Sequence, residues 1–213
     1  MPMKAYTFIL AILLAGLTVL PSFADELPKP SKLTAREQKD VHRIEIYLNN
    51  LKSVSADFLQ VSDEGMLRYG SIAIKRPGKM RVTYNPPSED FMVADGSFLH
   101  MWDADMKSQT SVPVSSGIAS FILEKNIKFS SDVILTRFVR YPAKIEIDLV
   151  SKETPEEGEL TLIFEDNPLK LRQWRILDTQ GHTTGINLEN SRENVDFPSD
   201  TFIFMAPTFG KSG

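Results

Sequence analysis

The chain has 213 residues, with 24 basic and 28 acidic side chains and a net charge of −4, a balance that argues against nucleic acid as its main partner. A hydrophobic content of 42% and a charged content of 24% are ordinary for a globular protein and exclude disorder. Cysteine is absent, which excludes disulfides, thiolate chemistry and acylation at a processed N-terminal cysteine.

Residues 1–4 carry one positive charge at Lys4, residues 5–20 are almost continuously apolar, and Ser22-Phe23-Ala24 ends the stretch with small residues on either side of Phe23. This is the three-part layout of a secretory signal peptide. The apolar run stops at Pro21, short of the about 20 residues that a spanning helix uses. The expectation is an exported, unanchored chain. A leader over 1–24 is followed by a single domain over 25–213, large enough to bury a core without staples.

Residues 25–32, with Pro28 and Pro30, read as an extended arm. Thr34-Ala35-Arg36-Glu37 is a capping box. Val41, Ile44, Tyr47, Leu48 and Leu51 follow at helical spacing, which predicts an amphipathic helix over 34–52. Beyond Ser53 the period changes to two. Strands are predicted over 55–61 and 66–75, joined at Asp63-Glu64-Gly65, and over 80–84 after the turn Arg76-Pro77-Gly78-Lys79. Pro86-Pro87 ends the third. Strands over 91–94 and 98–102 flank Asp95-Gly96, a two-residue hairpin signal.

Residues 114–124 interrupt the meander. A serine cap at Ser115 or Ser116 and apolar Ile118, Phe121 and Ile122 predict a short helix or a pair of turns. Strands resume over 133–139, 144–150, 159–165, 169–177, 183–190 and 201–205, separated by Pro142, Thr154-Pro155, Asn167-Pro168 and Gln180-Gly181. Short consecutive strands with tight turns make a large antiparallel meander, with no βαβ rhythm and no internal repeat.

Searches for catalytic chemistry return little. His42, His100 and His182 are scattered and show no metal-ligand spacing. Asp103-Ala104-Asp105 lacks the further ligands of a cation loop and reads as a hairpin turn. No nucleophile elbow, phosphate loop or dinucleotide fingerprint is present. No cofactor, metal or catalytic residue is therefore assigned.

The apolar residues are the more telling feature. Met66, Met80, Met92, Met101, Met106 and Met205 supply flexible, polarizable side chains suited to variable apolar partners, although a loosely specified core would use them too. Strand parity puts Ile72 and Ile74 on the face of Arg76, and Met80, Val82 and Tyr84 on one face of the next strand. If those faces point inward, Arg76 stands at the mouth of an apolar groove, where its planar fork can reach free carbonyls at a helix end. A plain solvent-exposed turn arginine is the alternative. Phe91 from the next strand and Ile118, Phe121 and Ile122 from 114–124 complete the candidate lining.

At these residues the sequence resembles the outer-membrane lipoprotein carrier family, LolA, from about the first helix to the C-terminus. The most specific stretch runs from Gly70 to Tyr84 and contains Lys75-Arg76-Pro77, similar to the family's turn between two strands. Asp95-Gly96 followed by Leu99 and Trp102-Asp103 resembles the next hairpin, with His100 and Trp102 where members commonly carry tryptophan and tyrosine. Phe202, Phe204 and Pro207 match the usual ending. The resemblance implies a mainly β fold, an incomplete antiparallel half-barrel whose open side is covered by short helices acting as a lid. It further implies a monomeric, non-enzymatic periplasmic carrier. Its partners would be acylated lipoproteins, an inner-membrane lipoprotein-releasing ABC transporter and an outer-membrane lipoprotein acceptor. Arg76 matches the arginine that latches the lid, and 114–124 occupies the place of a lid helix. Competing expectations are a sensor or regulator on the same fold, a carrier of another amphiphile such as a glycolipid or hopanoid-like molecule, and a hydrolase with an unrecognised site.

Overall fold

The computed structural model describes residues 28–207, so the leader expected over 1–24 lies outside the described residues. Helix α1 spans Ala35–Asn50. Its start is set by the predicted capping box: the Thr34 hydroxyl accepts the Glu37 N–H at 3.3 Å, and the Glu37 carboxylate accepts the Thr34 N–H at 2.7 Å. Ile44 and Leu48 on its apolar stripe are buried.

Eleven strands follow: β1 Ser53–Ser62, β2 Leu67–Lys75, β3 Lys79–Tyr84, β4 Phe91–Asp95, β5 Phe98–Asp103, β6 Ser108–Pro113, β7 Val133–Arg140, β8 Lys144–Ser151, β9 Glu159–Glu165, β10 Lys170–Leu177 and β11 Thr183–Glu193. They form one antiparallel sheet in the order β6-β5-β4-β3-β2-β1-β11-β10-β9-β8-β7. Each half is a simple meander, and the β1–β11 pairing joins them. The sheet does not close: β6 and β7 are its two edges, and the connection over 114–132 has to cross from one edge to the other. It lies on the inner face beside α1, where the 3-10 helix Ile118–Leu123 packs Phe121 into the same core as Leu48, Ile72 and Leu162. The architecture is the expected one, mainly β with an open antiparallel sheet, but with a single α-helix among the described residues.

Three local expectations are corrected. The helix over 114–124 is reduced to the 3-10 helix Ile118–Leu123, and its N-cap is Gly117, at φ 72, without a side-chain cap bond. Neither serine caps it, because the chain reaches the helix through a left-handed residue that favours glycine. Residues 201–205 form turn and coil instead of a strand, with Thr201 and Ile203 donating their N–H groups to the Pro198 and Asp200 carbonyls, each three residues back in a tight turn. β6 was not anticipated. Ser-Gln-Thr-Ser carries no apolar alternation, and an exposed edge strand needs none, since pairing with β5 supplies its hydrogen bonds.

Candidate functional site

The inner face of β1–β3 is laid out by register. Val54 pairs with Ile74 and Ile74 with Met80; Ala56 pairs with Ile72 and Ile72 with Val82; Phe58 pairs with Gly70 and Gly70 with Tyr84. With a side-chain period of two, all of these point to the side that carries α1. Gly70 is required by packing: a Cβ there would lie 2.3 Å from the Thr83 carbonyl oxygen and 2.7 Å from the Phe58 ring. The bare glycine lets Phe58 lie across β2 and meet Tyr84 edge-to-face, with centroids 5.5 Å apart.

Above this face is a cavity of about 330 Å³, within the range of small-molecule sites. Ile72, Ile74, Met80, Val82 and Tyr84 line it, as does Ile122 from the 3-10 helix. The opposite wall is built by Trp174, Ile176 and Ile186 of β10 and β11, and the flank by Met92 and Leu99 of β4 and β5. These last five were not singled out from the sequence, because which distant strands face each other depends on sheet order. Met92 could have been found, since it is the inner-face neighbour of Phe91 by parity.

Phe91 itself is a correction. Paired with Thr83 and Trp102, it lies on the outer face, stacked on Trp102 with centroids 6.4 Å apart and tilted against Phe204 of the C-terminal segment at 5.5 Å. Phe121 is also displaced from the expected lining. It fills the tight seam of about 20 Å³ under α1 and contacts Phe129 with centroids 5.8 Å apart. Ile118 opens the 3-10 helix, and its side chain lies outside the described residues. Of the methionines, Met80 and Met92 line the cavity, whereas Met66, Met106 and Met205 are exposed.

Arg76 sits in the turn between β2 and β3, and that turn touches both covering elements. Its Nη1 donates to the Leu48 carbonyl in the last turn of α1 at 2.6 Å, and its backbone N–H donates to Lys52 O at 2.9 Å. The Gly78 N–H donates to Leu123 O at the end of the 3-10 helix at 2.9 Å. Burial without a facing carboxylate pulls the Arg76 guanidinium down to about 10, and its Nε has no hydrogen-bond partner among the described residues. Beside it, burial raises the Tyr47 hydroxyl, which donates to Glu193 at 2.7 Å.

The middle of α1 is held by charge instead. Arg43 reaches Asp40 at 3.1 Å and the fully buried Asp166 at 2.8 Å, and Arg140 bridges the same two carboxylates. Asn49 and Glu45 then bind the backbone of Ile127 and Phe129. The middle and the C-terminal end of α1 are therefore tied to the sheet, while the backbone of the 3-10 helix is tied to it through Gly78.

Ser111 Oγ lies 2.8 Å from His100 Nδ1, and His100 Nε2 lies 3.2 Å from Asp95. This serine–histidine–aspartate chain is on the outer face against Phe204, and none of the three lines the cavity. The described residues hold no group of three or more histidine, cysteine or carboxylate side chains placed to hold a metal ion.

The sequence profile of the family described as outer membrane lipoprotein carrier protein LolA matches residues 49–205, which include every strand, the Arg76 turn and the 3-10 helix. The chain belongs to the LolA family. Similar proteins include an uncharacterized protein of Rickettsia prowazekii, 26% identical over 179 residues covering 83% of each chain. The outer-membrane lipoprotein carrier protein of Legionella pneumophila strain Paris is 26% identical over 170 residues, 75% of this chain and 82% of that one. The carrier protein of Cupriavidus pinatubonensis is 25% identical over 211 residues, 92% of this chain and 94% of that one. A solved LolA superfamily protein from Nitrosomonas europaea is a distant structural likeness, with a TM-score of 0.43 at 10% identity over 77% of this chain and 97% of that one.

Proposed function

We propose that this protein is a non-enzymatic periplasmic carrier. It takes the acyl chains of lipoproteins from an inner-membrane ABC transporter into its apolar cavity and delivers them to an acceptor at the outer membrane. The observation that carries this reading is the cavity itself. It is walled by apolar side chains from both halves of the sheet and closed by a helix that one backbone hydrogen bond ties to the Arg76 turn.

The energetics require such a container. Burying an acyl chain is worth about 0.8 kcal/mol per CH₂, or on the order of 12 kcal/mol for a long chain, so free passage through water is too slow. The container must also release its cargo. A cover held by apolar packing and one backbone hydrogen bond, from Gly78 to Leu123 and worth about 0.5–1.5 kcal/mol, is weak enough to open against that gain, while the charged Arg76 bond keeps α1 in place. Membership of a family whose relatives are named outer-membrane lipoprotein carriers supports the cargo class.

The test is an assay on inner-membrane vesicles bearing a fluorescently acylated lipoprotein. The purified mature chain should release it in an ATP-dependent way, and release no greater than in buffer alone would overturn the proposal. Native mass spectrometry of protein taken from the periplasm identifies the bound lipid and separates a lipoprotein carrier from a glycolipid carrier.

A further inference from the structure

The two ends of the cavity differ in chemistry. β1 ends, β2 begins, β10 ends and β11 begins at the same end of the sheet, as the pairings Ser62 with Thr184 and Val61 with Leu67 require. The Arg76 turn, the last turn of α1 and Leu123 lie at the other end, because they meet where β2 runs into β3. Near Arg76 the lining is apolar: Ile74, Met80, Leu99, Ile122 and Leu123. At the far end it carries Gln60, Thr184, His182 and Asp178.

These polar groups are not equivalent. The Asp178 carboxylate is occupied by its own turn, accepting the N–H groups of Gln180 at 2.8 Å and His182 at 2.9 Å. Gln60 is held in the cavity wall by Tyr84, whose hydroxyl donates to Oε1 at 2.7 Å. Tyr84 is itself fixed by the Arg68 guanidinium 4.2 Å from its ring centre, and Arg68 is anchored on Ser88 and Asp90. That chain of contacts uses the amide oxygen of Gln60, and its Nε2 has no hydrogen-bond partner among the described residues. The Thr184 hydroxyl stands on the next inner-face row as a further donor, and the exposed His182 ring, 3.7 Å from the Asp178 carboxylate, lies farther out at the same end.

We propose that the cavity takes its acyl ligand in one direction, with the methyl end toward the Arg76 turn and the carbonyl-bearing end among Gln60, Thr184 and His182. A carbonyl oxygen only accepts, and it is unfavourable in an apolar wall unless donors meet it. The donors are gathered at this end. The exceptions are Ser116 and Ser120 on the covering segment, and they define the opposite orientation that the experiment must exclude. The inference rests on the carrier reading and adds to it where the polar part of the cargo leaves the protein: between the β1–β2 and β10–β11 hairpins.

Trp174 serves as a ruler, because it pairs with Ile186, which pairs with Gln60, placing indole and amide on one row across the sheet. The chain has 2 tryptophans, and the other, Trp102, pairs with Phe91 on the outer face. The experiment is emission quenching of the mature chain by palmitic acid brominated either beside the carboxyl group or at the methyl end, with Trp174→Phe as the blank. The carboxyl-side bromine should remove most of the Trp174 emission and the methyl-end bromine little of it. Gln60→Leu should weaken binding of either acid about two- to tenfold, more than Ser120→Ala does; the reverse order overturns the orientation. Equal quenching, or stronger quenching from the methyl end, overturns the orientation while the carrier reading stands. No quenching by either acid, with the fold intact by circular dichroism, overturns both.

Discussion

Arg76 has opposing terms at one side chain. Its bond to Leu48 O holds the end of α1, yet burial strips the guanidinium of water and pulls it down to about 10. The charged form is thus disfavoured in the folded state at neutral pH, and that penalty fades as pH rises through about 10. Removing the charge relieves the penalty as it breaks the bond. Arg76→Leu is accordingly expected to shift Tm by less than about 4 °C in either direction, by calorimetry, while impairing cargo discharge to the acceptor. Normal discharge would make Arg76 a turn residue only. Asp95 shows the simpler case. The N–H groups of Phe98 and Ser97, and then His100, hold its carboxyl at about 2. Its unfolded value is about 3.9, so its contribution is complete above about pH 4 and is lost as pH falls toward about 2. Asp95→Asn should flatten that part of the acid limb in a Tm-against-pH series. A slope unchanged from wild type would contradict the assignment.

At the scale of elements, the β1–β3 layer depends on one missing side chain. Gly70 lets the Phe58 ring cross β2, and its Cβ would meet backbone at Thr83 O, which cannot rotate away. Gly70→Ala should cost about 1–3 kcal/mol, read by urea unfolding, and should disturb acyl binding because Phe58 and Tyr84 both line the cavity. A stability equal to wild type would show that the strands can part. The covering elements are held unequally. α1 has a four-charge network at its middle and Arg76 at its end, whereas the 3-10 helix depends on apolar packing and Gly78. Local stability follows such contacts, which assigns the weaker cover to 118–123.

For the whole molecule, an open sheet with a helix across its inner face solves a carrier's two requirements together. Both halves of the sheet wall the cavity, and the edge-to-edge connection over 114–132 covers it without pairing as a strand of the sheet. A charge placed in that interior should defeat loading. Met80→Glu puts a carboxylate into the apolar wall, where it either shifts its ionisation or draws in water. Co-purifying lipid should fall to background in native mass spectra, and unchanged lipid retention would remove β3 from the cavity.

Much of this was legible along the chain because it is local. Thr34 and Glu37 set the start of α1, period-two runs marked ten of the eleven strands, and parity grouped Ile72 with Ile74 and Met80 with Val82 and Tyr84, two sets that the sheet register then places on one face. Phe91 was expected in the lining without a parity argument, and the inner-face residue of β4 is its neighbour Met92. The rest required the tertiary structure, because it depends on residues far apart in the chain. Trp174, Ile176 and Ile186 face β3 only because β1 pairs with β11. The Arg76 turn bonds both covering elements only because α1 and 118–123 end beside it, and 201–205 is coil because Phe204 packs on an outer face instead of joining the sheet. Local propensity decides which segments are strands. Long-range pairing decides which of their faces meet, and the cavity exists only at that second level.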